Sequence, residues 1–260
     1  MSVNNVQETE GRIEVRVHGT ADKPTLIYLP GLHGDWTLIG RFRRALGERV
    51  RFVEFTYPRT LTWSLDDYAA NVETALASEG IHEGWVLGES FSSQVVWPLL
   101  QRNRFRVQGV ILAGGFVRHP AIWLVRLAEK ITGGISPRLI TKVLFGYARL
   151  ARARYSKAPE GAEEIRNFIA RRTELDRQAA KHRLHLLAEH DACSVASKTS
   201  VPIYALTGAF DPIVPWFWVR RWLKKNCPAL RDYKILWTAD HNVLGTGVRD
   251  SARFVLEWIS

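Results

Sequence analysis

The sequence has 260 residues, of which 46% are hydrophobic and 24% are charged. One hydrophobic core can support a chain of this length, so we expect one domain with at most an inserted subdomain, and the composition excludes a disordered chain. The net charge of +10 comes from basic residues scattered among acidic and apolar positions. No single Lys/Arg-rich run is present, so nucleic-acid binding is not expected.

The sequence carries no targeting or spanning signal. Residues 1–19 have neither the apolar core of a signal peptide nor the Arg/Ser bias of a transit peptide. The longest apolar runs, such as 107–113, are far shorter than the roughly 20 residues of a transmembrane helix. The two cysteines, Cys193 and Cys227, lack a metal-ligand spacing and are interpreted as reduced structural residues. These features predict a cytoplasmic protein with no transmembrane segment.

Taken in chain order, strand patterns alternate with helix patterns. Residues 12–17 alternate polar and apolar, as a half-buried edge strand does, and 25–29 form a continuous apolar run typical of a strand buried on both faces. Further strands are predicted at 50–55, 85–87, 107–113, 203–207 and 233–237, and helices at about 39–48, 67–79, 92–102, 216–225 and 249–259. This alternation predicts an α/β fold with a mostly parallel central sheet flanked by helices.

The alternation stops once, between 116 and 197, where only helical patterns occur. An all-helical insertion between two strands of such a sheet predicts a cap over the carboxyl ends of the strands, where open α/β sheets bind ligands. We therefore expect a core at 1–115 and 198–260, and a helical cap, or lid, at 116–197. Basic residues outnumber acidic ones in the cap, and the ten tryptophans of the chain predict aromatic packing in the core or around a pocket.

The first chemical signal is the turn at 86–93. Ser90 follows a predicted buried strand and precedes a predicted helix, with small residues, Gly88 and Ser92, two positions away on either side. Such a turn lifts the serine hydroxyl above the sheet and leaves backbone amides at the new helix N-terminus free for an oxyanion. Taken alone, Ser90 could equally be a helix N-cap.

A serine nucleophile needs a histidine base and an acid to orient it. Asp211 follows the predicted strand 203–207, and His241 follows the predicted strand 233–237, so both lie at the carboxyl edge of the sheet. Individually, Asp211 is more typical of a turn before proline and His241 of a surface loop. Together with Ser90, they indicate a nucleophile, a general base and an orienting acid.

Three segments carry a resemblance to the α/β-hydrolase superfamily over nearly the whole chain. They are Pro30-Gly31-Leu32-His33-Gly34, Gly88-Glu89-Ser90-Phe91-Ser92, and 208–215 followed by His241. The order Ser, Asp, His is also that of the superfamily. The resemblance implies an oxyanion hole made by the backbone N–H groups of Leu32 and Phe91. Ser92 departs from the glycine that is usual at its position, but serine is small enough for the turn.

The resemblance implies a serine esterase that cleaves a small to medium carboxylic ester through an acyl-enzyme, with no cofactor and no metal. A thioesterase or a C–C bond hydrolase would use the same triad. A ligand-binding protein that keeps the fold without catalysis is the alternative of another class. The basic cap raises two further hypotheses, which are an anionic substrate and peripheral attachment to anionic membranes.

Other polar residues compete for a role. His33, in the segment that would supply an oxyanion amide, is a candidate pocket residue. Asp240 adjoins His241 but cannot easily turn its carboxylate onto the neighbouring ring, and Glu89 is interpreted as a turn residue with a buried partner.

Three cap histidines have a spacing that could suggest a metal, yet no Cys or carboxylate completes a site, so a packed or solvated helix face is favoured. They are His182, His185 and His190.

Overall fold

A single seven-stranded sheet runs through the computed structural model, which describes residues 11–134 and 172–260. Its strands are β1 (Glu14–His18), β2 (Thr25–Leu29), β3 (Arg51–Thr56), β4 (Glu83–Glu89), β5 (Arg106–Ala113), β6 (Ile203–Gly208) and β7 (Leu230–Leu236). The strand order is β1-β3-β2-β4-β5-β6-β7, with β1 antiparallel to β3 and every other neighbouring pair parallel. The predicted mostly parallel sheet with an N-terminal edge strand is confirmed.

Helices connect these strands, as the alternating pattern predicts. They are α1 (Gly40–Leu46), α2 (Leu65–Ser78), α3 (Ser93–Arg102), α4 (Ile122–Gly134), α5 (Glu174–Glu189), α6 (Cys193–Lys198), α7 (Trp216–Asn226), α8 (Val243–Thr246) and α9 (Val248–Ile259). Several strand boundaries differ from the predicted ones by one or two residues, and the largest difference is at β7, which begins at Leu230 rather than at 233 and ends before Trp237. Pairing with β6 starts at Leu230. Polar residues early in β7 hide this start in the sequence, because they interrupt the apolar pattern that is typical of a strand.

The central strands are buried on both faces because successive side chains point to opposite sides of the sheet. In β2, Leu26 and Tyr28 pack into one hydrophobic cluster, while Ile27 and Leu29 pack into the cluster on the other face. All four side chains are at most 1% exposed. Helices therefore cover both faces, and the carboxyl edge of the sheet is left for the polar loops.

Among the residues that the structure describes, α4, α5 and α6 lie between β5 and β6, and all of their residues except Lys198 fall in the range predicted as a cap. Thr173 caps the start of α5, and its side chain and backbone exchange hydrogen bonds with Asp176 in a capping box. Residues 135–171 of the predicted cap lie outside the described residues, so the division into core and cap stays a prediction. None of the helices that the structure describes is long and apolar enough to cross a bilayer.

Candidate active site

Ser90 occupies a strained turn between β4 and α3. Its φ of 47° lies in the left-handed region, which a residue with a side chain adopts rarely. The turn is tight: a Cβ on Gly88 would lie 2.8 Å from a methyl carbon of Val96 and 2.9 Å from the carbonyl oxygen of Ser92. Glycine is therefore required at position 88, as the sequence pattern indicates.

The hydroxyl of Ser90 belongs to a chain of three side chains. The Oγ of Ser90 lies 2.8 Å from His241 Nε2, and His241 Nδ1 lies 2.7 Å from Asp211 Oδ2. A carboxylate accepts only, so Nδ1 carries the proton and a neutral ring presents the Nε2 lone pair to the serine hydroxyl. The structure thus brings together the three residues that the sequence picks out, and Ser90 is not used as a helix cap.

The carboxylate of Asp211 is fixed by its own loop. Its Oδ1 accepts hydrogen bonds from the backbone N–H groups of Ile213 (2.8 Å) and Val214 (2.9 Å), which leaves Oδ2 for His241. The side chain is fully buried. Asp240, the competing carboxylate, instead accepts from the backbone of Asn242 at 3.0 Å.

Opposing effects set the pKa of His241. Burial lowers it, but the hydrogen bond that His241 donates to Asp211 and the negative charges of Asp211 and Glu89 raise it, and the net pKa lies above the ordinary value of 6.5. The ring is therefore a stronger base than a free histidine, which suits a group that takes a proton from a hydroxyl.

The segment Pro30–Gly34 is tied to the nucleophile turn through Ser92. The Ser92 hydroxyl donates to the carbonyl of Pro30 at 2.5 Å and lies 2.7 Å from the hydroxyl of Tyr57. Glycine at this position could form neither hydrogen bond. The departure from the usual glycine therefore links the two segments that contain Leu32 and Phe91.

Glu89, the last residue of β4, provides a second link. Its carboxylate accepts from the hydroxyl of Tyr28 and from the backbone of Gly31. Burial raises the pKa of Glu89, and these hydrogen bonds oppose the rise. The interpretation of Glu89 as a residue with a buried partner agrees with this geometry, and its charge also acts on His241.

Arg183, on α5, is a residue of this site that the sequence analysis did not identify. It is 2% exposed and donates to the carbonyls of Leu32 (2.9 Å) and Pro58 (3.0 Å) and to the hydroxyl of Tyr68 (3.1 Å). Gly34 is required here, since its φ is 76° and a Cβ on it would lie 2.6 Å from the guanidinium. Leu32 and Pro58 follow β2 and β3, so α5 lies against loops at the carboxyl ends of two strands.

A sequence signal for Arg183 does exist. At helical spacing it falls in line with Ala179 and Leu187, which are both buried. A charged residue inside the apolar stripe of a helix needs buried partners.

The histidines proposed as candidates have separate surroundings. His33 is exposed in the loop next to Leu32, and its role in a pocket stays a prediction. The three cap histidines contact three different partners: His182 the carbonyl of Trp63 (2.8 Å), His185 the carboxylate of Glu129 (3.2 Å) and His190 the amide of Gln94 (2.8 Å). Their sequence spacing therefore does not bring them to one point.

A cavity of about 540 Å³ lies between α7 and the segment that follows β5. Its walls include Trp123, Trp218, Trp222, Val117 and Leu223. The segment after β5 adjoins the triad, because a Cβ on Gly114 would lie 3.5 Å from the ring of His241. Other tryptophans serve the core, as does the fully buried Trp97. Tryptophans therefore occur in both predicted places, in the core and around a cavity.

Comparison with solved structures places this arrangement among known folds. The structure is similar to a hydrolase from Pseudomonas aeruginosa PA01, with a TM-score of 0.80 and 14% identity over 95% of this chain and 94% of the other. It is similar to an esterase from Exiguobacterium antarcticum, with a TM-score of 0.77 and 15% identity over 95% of both chains. An alpha/beta hydrolase enzyme from a Medee basin deep-sea metagenome library matches with a TM-score of 0.75 and 12% identity over 95% of this chain and 93% of the other.

The chain has the α/β-hydrolase fold. No family model and no curated protein matches the sequence. At identities of 12 to 15%, these neighbours establish the fold alone.

Proposed function

We propose that this protein is a serine hydrolase in which Ser90 is the nucleophile, His241 the general base and Asp211 the acid that orients the histidine. The observation that carries the proposal is the hydrogen-bonded series from Ser90 Oγ through both ring nitrogens of His241 to Asp211. A buried carboxylate held by two backbone amides would keep the imidazole in one tautomer and stabilise the imidazolium that forms during the reaction.

Each step follows from this arrangement. Ser90 Oγ attacks the acyl carbonyl carbon while its proton passes to His241 Nε2, and the backbone N–H groups of Leu32 and Phe91 stabilise the oxyanion. The tetrahedral intermediate expels the alcohol, which takes the proton from His241. Water then loses a proton to His241 and attacks the acyl-enzyme. The second tetrahedral intermediate releases the acid as Ser90 Oγ takes that proton back from His241.

Arg183 would act as a positioning residue for the oxyanion hole. It fixes the carbonyl of Leu32, and its guanidinium carbon lies 5.9 Å from the ring centre of Phe91. An oxyanion hole works when its donors are held in place before the charge develops. Because Arg183 lies on α5, the proposed cap at 116–197 would support catalysis as well as cover the site.

The substrate we favour is a small to medium carboxylic ester with an apolar arm. The tryptophan-lined cavity between α7 and the segment that follows β5 supports this choice, because aromatic walls bind apolar groups and its volume is in the range of ligand pockets. A thioester or a C–C bond beside a carbonyl could react through the same triad. The chemistry uses only groups of the chain and a water molecule. A receptor with this fold and no catalysis is the rival from another class.

Labelling with a fluorophosphonate probe, combined with p-nitrophenyl esters of graded chain length and acyl-CoA substrates, tests the proposal. We expect labelling of the native protein, its loss in Ser90→Ala, and its persistence in Ser78→Ala, which changes an exposed serine at the end of α2. Hydrolysis of p-nitrophenyl esters should exceed hydrolysis of acyl-CoA. Failure of native protein to label or to hydrolyse any ester would favour the receptor.

A further inference from the structure

Exposed apolar side chains gather around the loop that carries Asp211. They come from that loop, from the first turn of α7 and from the residue after β7, and they are Phe210 (57% exposed), Ile213 (49%), Phe217 (52%), Trp218 (52%) and Trp237 (70%). The two loops are joined, since Phe210 N–H donates to the carbonyl of Ala239 at 3.1 Å. Clusters of exposed apolar side chains mark interaction surfaces.

The same surface is strongly basic along α7. Exposed Phe217, Trp218, Arg221, Lys224 and Lys225 fall on one side of the helix at helical spacing. The opposite side, with Val219 and Leu223, is buried. The sequence of α7, WFWVRRWLKKN, contains four cationic residues and no carboxylate. We name the five apolar residues and the three exposed cations together the aromatic–basic face.

We propose that the aromatic–basic face binds the surface of anionic membranes. Aromatic rings fit the interface between headgroups and acyl chains, and lysine and arginine side chains are attracted to anionic headgroups. A helix that presents both on one side is typical of proteins that lie on a membrane without crossing it.

Charge distinguishes this partner from a second copy of the chain. A two-fold symmetric dimer through this face would bring the cations of α7 against their own equivalents in the partner, because such a contact pairs a surface with itself. An anionic lipid surface neutralises the same charges. The overall charge of +10 favours it further.

The position of the face gives membrane binding a consequence for the site. Trp218 belongs both to the aromatic–basic face and to the wall of the cavity, and Phe210 and Ile213 flank Asp211. A membrane-bound protein would hold the cavity close to the lipid, where esters with apolar arms concentrate. This consequence rests on the proposed function, whereas membrane binding does not.

Co-sedimentation with vesicles of phosphatidylcholine, with and without phosphatidylglycerol, tests the proposal on the full chain. We expect binding only to the anionic vesicles, with release when salt rises from about 0.1 M to about 1 M. Replacing three cations of the face should weaken binding about a hundredfold, at roughly 1 kcal/mol for each residue. This variant is Arg221→Gln/Lys224→Gln/Lys225→Gln.

A matched control removes the same charge from the opposite edge of the sheet, at exposed residues before β2 and at the start of β5. It is Lys23→Gln/Arg104→Gln/Arg106→Gln. We expect its binding to stay close to that of the native protein. Equal losses in the two triple variants would overturn the proposal, because total charge would then explain the attraction.

The contribution of the aromatic side chains to vesicle binding is measured separately. Tryptophan emission of the native protein should shift to the blue on anionic vesicles, and Phe217→Ser/Trp218→Ser should weaken sedimentation at unchanged charge. No difference between this variant and the native protein would overturn the proposal. So would a native dimer in lipid-free light scattering that this variant dissociates, because the face would then bind a second copy.

The same assays on Ser90→Ala separate the two proposals. Vesicle binding by this variant supports the membrane surface whether or not the native protein hydrolyses esters. If the native protein hydrolyses esters but does not bind anionic vesicles, the membrane proposal is overturned and the proposed function is not.

Discussion

Around Ser90 the chain is buried and tied by polar side chains, whereas the Asp211 carboxylate is held by backbone amides of its own loop and bordered by exposed aromatic rings. On the serine side, Ser92, Glu89 and Arg183 each bind a different part of the Pro30–Gly34 segment or its supports. On the acid side, Asp211 depends on its own turn. Under the proposed function, this difference would place the positioning of the nucleophile in the interior and leave recognition to the open side.

The largest effect expected is that of Ser90→Ala. Removing the hydroxyl should lower kcat by about 10⁴-fold or more, because no acyl acceptor remains, while the change costs little packing. Hydrolysis of p-nitrophenyl esters would measure the loss of kcat, and circular dichroism would measure whether the fold is retained. An ester hydrolysis rate near that of the native protein would show that another group is the nucleophile.

On the acid side, Asp211→Asn should lower kcat by several orders of magnitude, in line with the roughly 10⁴-fold loss known for the equivalent change in a serine protease. The amide would favour the wrong tautomer of His241. Asp240→Asn is the matched control and should cost far less. If the control were the crippling change, the orienting acid would be Asp240.

Substitutions of Arg183 test whether the segment around Ser90 depends on its buried hydrogen bonds. Arg183→Met leaves the Leu32 and Pro58 carbonyls without a donor, so stability should fall by more than about 2 kcal/mol. Arg183→Lys keeps the charge but loses the fork of donors, and we expect kcat to fall about tenfold with a smaller change in KM.

Lys181→Met, at an exposed position on the same helix, is the control and should change neither quantity much. Urea unfolding and steady-state kinetics provide the measurements. A loss of stability with native kcat in Arg183→Lys would make Arg183 structural only.

The pH dependence reports the charge that the serine side places near His241. His241 must be neutral to accept a proton, so kcat/KM should rise with pH through its raised pKa. Glu89→Gln removes a negative charge that raises this pKa, so the acid limb should move to lower pH by up to about one unit. Glu83→Gln, exposed at the start of β4, should leave the limb in place. An acid limb that does not move in Glu89→Gln would show that Glu89 does not raise the pKa of His241.

The smallest effect concerns an anionic substrate. In the described part of the proposed cap, Arg118 pairs with Asp191 and Arg126 with Glu189, which offsets part of its positive charge. We expect salt to lower kcat/KM for a carboxylate-bearing ester slightly more than for a neutral ester of the same acyl length. Equal responses would leave the basic cap without a role in substrate capture.

Local patterns made the sheet, the turn at Ser90 and the positions of Asp211 and His241 predictable. Apolar runs ending in glycine mark buried parallel strands, and their carboxyl ends share one edge. Arg183 escaped prediction because its partners, Leu32 and Pro58, lie far away in the chain, and only the folded structure brings them together. The start of β7 escaped because pairing with β6, rather than hydrophobic alternation, determines it.

The guanidinium of Arg183 also limits how freely the proposed cap could be exchanged for that of another protein with this fold. A transplanted segment in place of 116–197 would have to present an arginine to the carbonyls of Leu32 and Pro58, and the host would have to keep Gly34 so that the group fits. A chimera without that arginine would have new residues around its pocket but would leave the carbonyls of Leu32 and Pro58 without their donor. Changing substrate selectivity by cap exchange therefore requires the arginine and the glycine to move as a pair.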